Sequence, residues 1–472
     1  MPPLPPGFRL RPDRSLRAVE EGAVLCGGTP WRLLRLTPAG AERARQLLDG
    51  RVVADAADAA LARRLLAAGL AHPFPPGAQA DGPDQPPQPG AARRTVELEV
   101  VIPVRDRADG LDRCLHALAL GDRVTVVDDG SANAAAVRVV TDRHGARLVR
   151  RPQSRGPAAA RNAGLAATTG EVVAFVDSDV DVSAEALQEL ARQLADPTVA
   201  AVAPRVRPAP PASGHDSVLA RFTAARPPLD LGPDPAAVRP GGRLTFVPST
   251  VLVARRAALE AVGGFDEQLR FGEDVDLCWR LTDAGWTVRY DPSLAVAHLE
   301  PVSWWQWFTR IFRYGSSAGP LARRHGPRLA GPALVGLVAP VRLARHAREG
   351  RIPAEVARDF AAEAPARTLL ALARWAVPLW WPVLVVAAWR RRSLRLPLLV
   401  ALAGPLVVEW RRRRPRGIHP LEWAAGAVAD DAAYGAGIWW GCVRSRTLWP
   451  VLPRWRARAG GAGAEDGDPV SG

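Results

Sequence analysis

The sharpest feature in the pattern of apolar and polar positions is a run of five apolar residues, 172–176 (VVAFV), ending on Asp177, Ser178 and Asp179. An unbroken apolar run of this length predicts a strand buried on both faces of a largely parallel sheet, where ligands gather beyond the carboxyl ends. Asp177 and Asp179 are therefore predicted at a sheet edge, separated by a residue too small to obstruct them. From Thr95 the alternation of strand, turn and helix repeats: apolar 96–104, helical 111–120, apolar 124–127, a helix before His144 and a strand at 147–149. That order predicts a doubly wound α/β domain. A helix at 184–194 and a strand at 199–206 precede a segment rich in Pro and Gly up to Gly242, read as a loop or partner surface. Order returns with a helix that opens on Glu273 and Asp274 and turns Val275, Leu277, Cys278 and Leu281 inward, then a strand at 288–290 and a short run carrying His298.

The flanks follow other patterns. Residues 1–75 read as a small module of short strands and two helices, one started by Thr37-Pro38 and one ending near Gly69, in the manner of a winged helix. Residues 76–94, dominated by Pro, Gly, Gln and Asp, read as a linker before the domain at 95–325. Residues 326–458 alternate apolar and arginine-rich pieces, and 459–472 form a tail. The apolar stretches 376–389 and 396–408 are interrupted by prolines and look short for spanning a bilayer, so an interfacial pair or a packed helical subdomain is expected.

Composition changes this picture in two ways. Of 472 residues, 48% are hydrophobic, enough for real cores, while 62 basic against 48 acidic residues leave a net charge of +14. All of that basic charge is arginine, and with 45 prolines and 42 glycines it reflects a GC-rich coding background as much as a partner. Nucleic acid is not the expected partner, because the arginines of the N-terminal module are spread around it rather than gathered on one helix. The absence of lysine excludes Schiff-base chemistry and a P-loop. Four scattered cysteines give neither a disulfide framework nor a zinc site, which suits a reducing cytoplasm. The arginines at 390–392 and 411–414 would meet anionic head groups, so association with the inner face of the cell membrane is expected.

Two carboxylates one residue apart, Asp177 and Asp179, suit a hard cation, Mg²⁺ or Mn²⁺, that also grips a diphosphate. A solvated turn shows the same spacing, so the flanking sequence has to decide. Asp128 and Asp129 end a second strand (VVDDGS), and Arg161 and Asn162 lie on the early turns of a helix started by Pro157.

Taken in order, VIPVRD, VVDDGS, GPAAARNAGLAATTG, VVAFVDSDV, VGGFDE and GEDVDLCWRLTDAG resemble glycosyltransferase family 2, inverting nucleotide-sugar enzymes of the GT-A fold. The N-terminal module, the FVPS segment and the WF-x-R-x-x-x-YG-x-SAG pattern are similar to the mycofactocin-system glycosyltransferases. Those enzymes place a short β-1,4-linked glucose chain on a peptide-derived redox cofactor. The resemblance implies that Pro103, Val104 and Asp128 line a uridine pocket, with Asp129 and Arg161 also on the donor side. It implies that Asp177 and Asp179 hold the metal and the sugar diphosphate, joined by His298, and that Asp274 is the general base. Glu273, Trp305, Arg310, Arg313 and Tyr314 would meet the acceptor, with RIFRY similar to an element of processive glycan synthases. UDP-glucose is the implied donor and premycofactocin the implied acceptor. Many relatives carry a glycine-rich donor loop where this chain has Pro248-Ser249-Thr250. Two other readings stay open: a lipid or cell-wall acceptor, suggested by the apolar C-terminal third, and a non-catalytic scaffold that binds nucleotide sugar and peptide.

Overall fold

The computed structural model describes residues 1–77, 95–209, 217–332, 334–350, 352–415 and 417–454, so most of the expected linker and the tail lie outside the described residues. The chain forms two compact units, Met1–Trp304 and Trp305–Gly472.

The first unit is built on a mixed sheet, nine-stranded among the described residues. Arg147–Arg151, Val124–Asp129, Leu98–Val104 and Val172–Val176 lie side by side in that order, all parallel. Val251–Arg255 runs antiparallel to Val172–Val176 and to Val199–Pro208, which in turn pairs in parallel with Thr287–His298. Val180–Asp181 and Ala236–Ala237 add antiparallel to Thr287–His298. This curled mixed sheet with its helices is the GT-A arrangement. The apolar run at 172–176 is a strand buried on both faces, as its interior position between one parallel and one antiparallel neighbour requires. Helix Pro157–Ala166 lies hard against the neighbouring strands, because a Cβ on Gly164 would fall 2.1 Å from Val101 Cγ1.

The N-terminal segment belongs to the same unit. Arg9–Pro12 pairs with Ala71–Phe74, and Arg17–Val19, Val24–Gly27 and Arg32–Arg35 form a three-stranded sheet. Helix Pro38–Leu48 starts where expected: Thr37 Oγ1 accepts the Gly40 N–H at 3.2 Å, with Pro38 in the first turn. The second helix, Ala56–Ala68, is capped by Asp55 and ends on Gly69 with φ +72°. A bidentate ion pair docks this helix on the catalytic sheet, Arg63 Nη1 and Nη2 reaching Asp196 at 3.0 and 2.8 Å, while Arg289 Nη2 reaches the same carboxylate at 2.6 Å. Burial opposes ionisation of Asp196, but the Arg63 hydrogen bond and the two guanidinium charges outweigh it and hold its carboxyl at about 2.

The loop expected up to Gly242 is more ordered than its composition implied. It contains helix Val218–Ala225 and strand Ala236–Ala237, and polar anchors fix it. Arg205 grips Asp230 at 2.8 and 2.7 Å, and the Tyr290 hydroxyl donates to Gly232 O at 2.6 Å. Residues 210–216 are outside the described part.

The second unit is helical. Helix Trp304–Ser316 and helix Ala318–His325 meet helix Pro420–Ser445 through bare glycine faces, with Cβ positions on Gly315 and Gly437 only 2.2 and 2.1 Å from Tyr434 O and Phe312 O. One expectation is overturned here. The apolar stretches 376–389 and 396–408 are not isolated short pieces but parts of helices Ala354–Arg390 and Arg395–Arg413, which continue through Pro365, Pro378, Pro382 and Pro405. A proline costs one backbone hydrogen bond, and in helices of 37 and 19 residues the rest of the hydrogen-bond ladder carries the helix past it. Both helical segments are long and apolar enough to cross a membrane, and almost none of their apolar length is buried within the protein.

Candidate active site

Strand ends and one helix N-terminus bring the acidic residues together. Asp177 follows strand Val172–Val176, and its N–H donates to Thr250 O at 2.9 Å, tying the turn to the adjoining antiparallel strand. Asp179 leads into Val180–Asp181, whose pairing sets Val180 opposite His298. That register brings His298 Nε2 to 3.8 Å from Asp179 Oδ1. On the far side of the ring Glu300 Oε1 lies 3.4 Å from Nδ1, an arrangement that orients the imidazole. Asp179 is also paired with the Arg107 guanidinium, a contact with no counterpart in the sequence reading.

Arg161, expected on the donor side, is buried in an ion-pair bridge. It is 3% exposed, with Nη2 2.7 Å from Asp177 Oδ1 and Nη1 2.9 Å from Glu273 Oε1. Burial works against its charge, but the two carboxylates outweigh it and raise its pKa. Arg161 therefore bridges the turn after the central strand and the first turn of helix Glu273–Asp283. Glu273, expected to face an acceptor, is itself buried in this bridge.

Asp274 is the next residue of that helix. The carboxyl is pushed up to about 7, first by burial and second by the charge of Glu273, with the Val275 N–H at 2.8 Å and Arg161 pulling the other way. Burial also raises Glu273, so the adjacent pair resists carrying two charges. The opposing loop is fixed by Asn162, whose Nδ2 donates to Phe265 O at 2.8 Å and whose Oδ1 accepts the Phe265 N–H at 2.9 Å.

On the parallel strands, Val104 stands opposite Asp128 and Pro103 opposite Val127. Val104 is part of the hydrophobic core beneath the edge, and Pro103 keeps partial exposure. Asp128 Oδ1 accepts the Ser131 N–H at 2.9 Å, while Oδ2 is buried without a partner, the Arg150 Nε 4.0 Å away. Asp129 differs. Its oxygens accept from Ser154 Oγ at 2.7 Å, Gly156 N at 2.9 Å and Arg155 N at 3.1 Å, so it organises the loop that delivers helix Pro157–Ala166. Trp305, Arg310, Arg313 and Tyr314 belong to the second unit, on helix Trp304–Ser316. Trp305 is 75% exposed and stacks on Phe308 at 6.3 Å, whereas Trp307 is core.

A bridged acidic set at the edge of a GT-A sheet is the setting of a glycosyltransferase site, and the chain belongs to glycosyltransferase family 2. The Glycosyl transferase family 2 model matches residues 99–262. Along nearly its whole length the chain is similar to the pre-mycofactocin glycosyltransferase of Mycobacterium tuberculosis (strain ATCC 25618 / H37Rv), with 40% identity over 486 residues, covering 96% of this chain and 99% of that protein. An N-acetylglucosaminyltransferase of Rhizobium meliloti (strain 1021) is 28% identical over 274 residues, covering 53% of this chain and 64% of that protein. Among solved structures, a mannosyltransferase of Pyrobaculum calidifontis in complex with GDP-Man and Mn2+ has 22% identity and a TM-score of 0.44, covering 73% of this chain and 87% of that one.

Proposed function

We propose that this protein is a metal-dependent, inverting glycosyltransferase that moves glucose from UDP-glucose to premycofactocin and then extends a short β-1,4-glucose chain, at the cytoplasmic face of the cell membrane. The end-to-end likeness to the mycobacterial pre-mycofactocin glycosyltransferase supports the acceptor. The observation that carries the chemistry is Asp274. A carboxyl held at about 7 is partly ionised at neutral pH and basic enough to take the proton of an attacking hydroxyl.

The donor side is supported by the atoms left available. Asp128 Oδ2, buried without a partner, is an acceptor for a base N–H, which suits uracil at N3. Among the described residues no group of three or more His, Cys, Asp or Glu side chains forms a complete cage for a metal ion. Asp179 Oδ1, which faces His298 Nε2 while Oδ2 is paired with Arg107, would with that imidazole hold a cation that takes its remaining ligands from the substrate, as Mg²⁺ and Mn²⁺ do with diphosphates. Such an ion, when bound, would neutralise charge building on the leaving diphosphate. Asp179 would hold it together with His298; Asp177, expected as a further ligand, is engaged through Oδ1 by Arg161 and does not complete a three-residue cluster with them among the described residues. Trp305, Arg310, Arg313 and Tyr314 would receive the acceptor and the growing chain. Exposed apolar faces on Ala354–Arg390 and Arg395–Arg413 support contact with membrane, and they also favour the second reading, a lipid acceptor.

The test is UDP release from UDP-glucose with premycofactocin or a polyprenyl phosphate offered as acceptor. Turnover only with the peptide-derived acceptor supports the proposal; turnover only with the lipid replaces it with the second reading.

A further inference from the structure

We infer that helices Ala354–Arg390 and Arg395–Arg413 form a hairpin that lies within one leaflet of an anionic membrane rather than crossing it, an inference that rests on the membrane association proposed above. The two helices pack against each other across a short turn. Length and composition alone would let both cross. The placement of charge argues otherwise. Arg390, Arg391, Arg392 and Arg395 crowd the turn, and Arg411 to Arg414 crowd the other end of the second helix. Among the described residues, Arg390, Arg391, Arg392, Arg411, Arg412 and Arg414 make no ion pair, so their charges face outward unneutralised. Crossing would carry one of these clusters through the hydrocarbon to the far side, against the usual retention of arginine on the cytoplasmic face. The apolar part of the second helix is also short. Its uncharged stretch, 396–408, lies between Arg395 and Glu409 and spans about 20 Å at the helical rise, so a crossing would draw those end charges into a hydrocarbon core of roughly 30 Å.

Each arginine cluster is preceded by a tryptophan, Trp389 before Arg390 and Trp410 before Arg411, the aromatic-then-cationic order that marks the depth of the head groups. Trp389 is 76% exposed, and between the two junctions Leu396, Leu399 and Val400 are 71%, 61% and 63% exposed. At the second junction a recess of about 510 Å³ is lined by Trp410, Arg411, Arg414 and Pro415, a cationic hollow suited to a phosphate head group. Apolar side chains in the acyl layer, with both basic ends at the same phosphate plane, satisfy all of these groups at once. The occupant is therefore an anionic lipid surface, approached from one side.

The four cysteines, Cys26, Cys114, Cys278 and Cys442, are buried, so a cysteine introduced in the turn can be labelled selectively. The experiment adds full-length Ser393→Cys protein to preformed vesicles of phosphatidylcholine with or without 30% phosphatidylglycerol, floats them, and applies a membrane-impermeant maleimide from outside. In-plane binding predicts flotation with the anionic vesicles and full labelling of the turn. Replacing Arg390, Arg391 and Arg392 together by Gln should weaken binding to anionic vesicles on the order of a hundredfold, at roughly one step of head-group attraction per arginine. Flotation with the turn protected from the reagent, or equal binding to neutral vesicles, would overturn the in-plane hairpin and leave membrane association standing. No flotation with either vesicle would remove the association itself.

Discussion

Asp274 sits one residue beyond Glu273, and the two carboxylates divide their work by what surrounds them. Glu273 faces Arg161, which also holds Asp177, so one buried guanidinium ties the turn after Val172–Val176 to the first turn of helix Glu273–Asp283. Asp274 has no such guanidinium pairing among the described residues, which suits the proposed role of proton acceptor. Asp274→Asn keeps the shape but cannot accept a proton, so kcat should fall on the order of 10² to 10⁴ while donor affinity holds. Steady-state turnover beside calorimetric donor binding checks this, and a variant that fails to bind donor would move Asp274 to the metal side. The pH profile follows from the same carboxyl. The ionised form is the base, so kcat/KM should rise with unit slope as pH climbs toward about 7 and then level off. Stability runs the other way for this group. Its folded-state value lies above the ordinary 3.8, so the folded protein binds the proton more tightly, and its contribution to stability declines as pH rises from about 4 to about 7. Denaturation midpoints of the wild type and Asp274→Asn across that range should converge at low pH.

The strand and helix ends of this site were readable from sequence to different depths. The run VVAFV ending on Asp177 and the opening of a helix at Glu273 are local signals, and the structure has both where the apolar pattern puts them. The partner of Arg161 was not readable, because Glu273 lies 112 residues further on and no local pattern marks an arginine as buried rather than phosphate-facing. Asn162 and Phe265 are separated in the same way. His298 meets Asp179 only through the strand register that sets it opposite Val180. The prolines mislead in the other direction, since they suggest breaks in stretches that are continuous helix. Two predictions belong to these elements. Asp179→Asn should lose Mn²⁺-dependent UDP-sugar binding and turnover together, because a neutral amide is a poor ligand for a hard cation; calorimetry with and without Mn²⁺ reads it, and unchanged metal dependence would remove Asp179 from that role. On helix Trp304–Ser316, Tyr314→Ala should leave the first glucose addition nearly intact and shorten the product ladder seen by mass spectrometry. Equal losses at every addition would make Tyr314 a packing residue.

At the scale of the whole chain, the N-terminal segment is welded to the catalytic sheet rather than tethered to it. The weld is the buried set Arg63, Asp196 and Arg289, in which burial lowers Arg289 to about 10 despite the facing carboxylate. Removing Arg63 strips the bidentate contact but leaves Asp196 paired with Arg289, so Arg63→Ala should cost about 1.5 to 3 kcal/mol, measured by urea denaturation. A cost near zero would show the segment held by apolar packing alone. That docking makes the N-terminal segment and the GT-A sheet one body, so any part it takes in acceptor selection is exercised from a fixed position. Transfer itself is read directly from the products. Purified protein is incubated with UDP-glucose, Mn²⁺ and premycofactocin, and the products are resolved by mass, with Asp274→Asn in parallel. The account predicts a ladder of hexose additions to premycofactocin with the wild type and almost none with the variant. UDP release without any hexose on premycofactocin, or an undiminished ladder from Asp274→Asn, would contradict it.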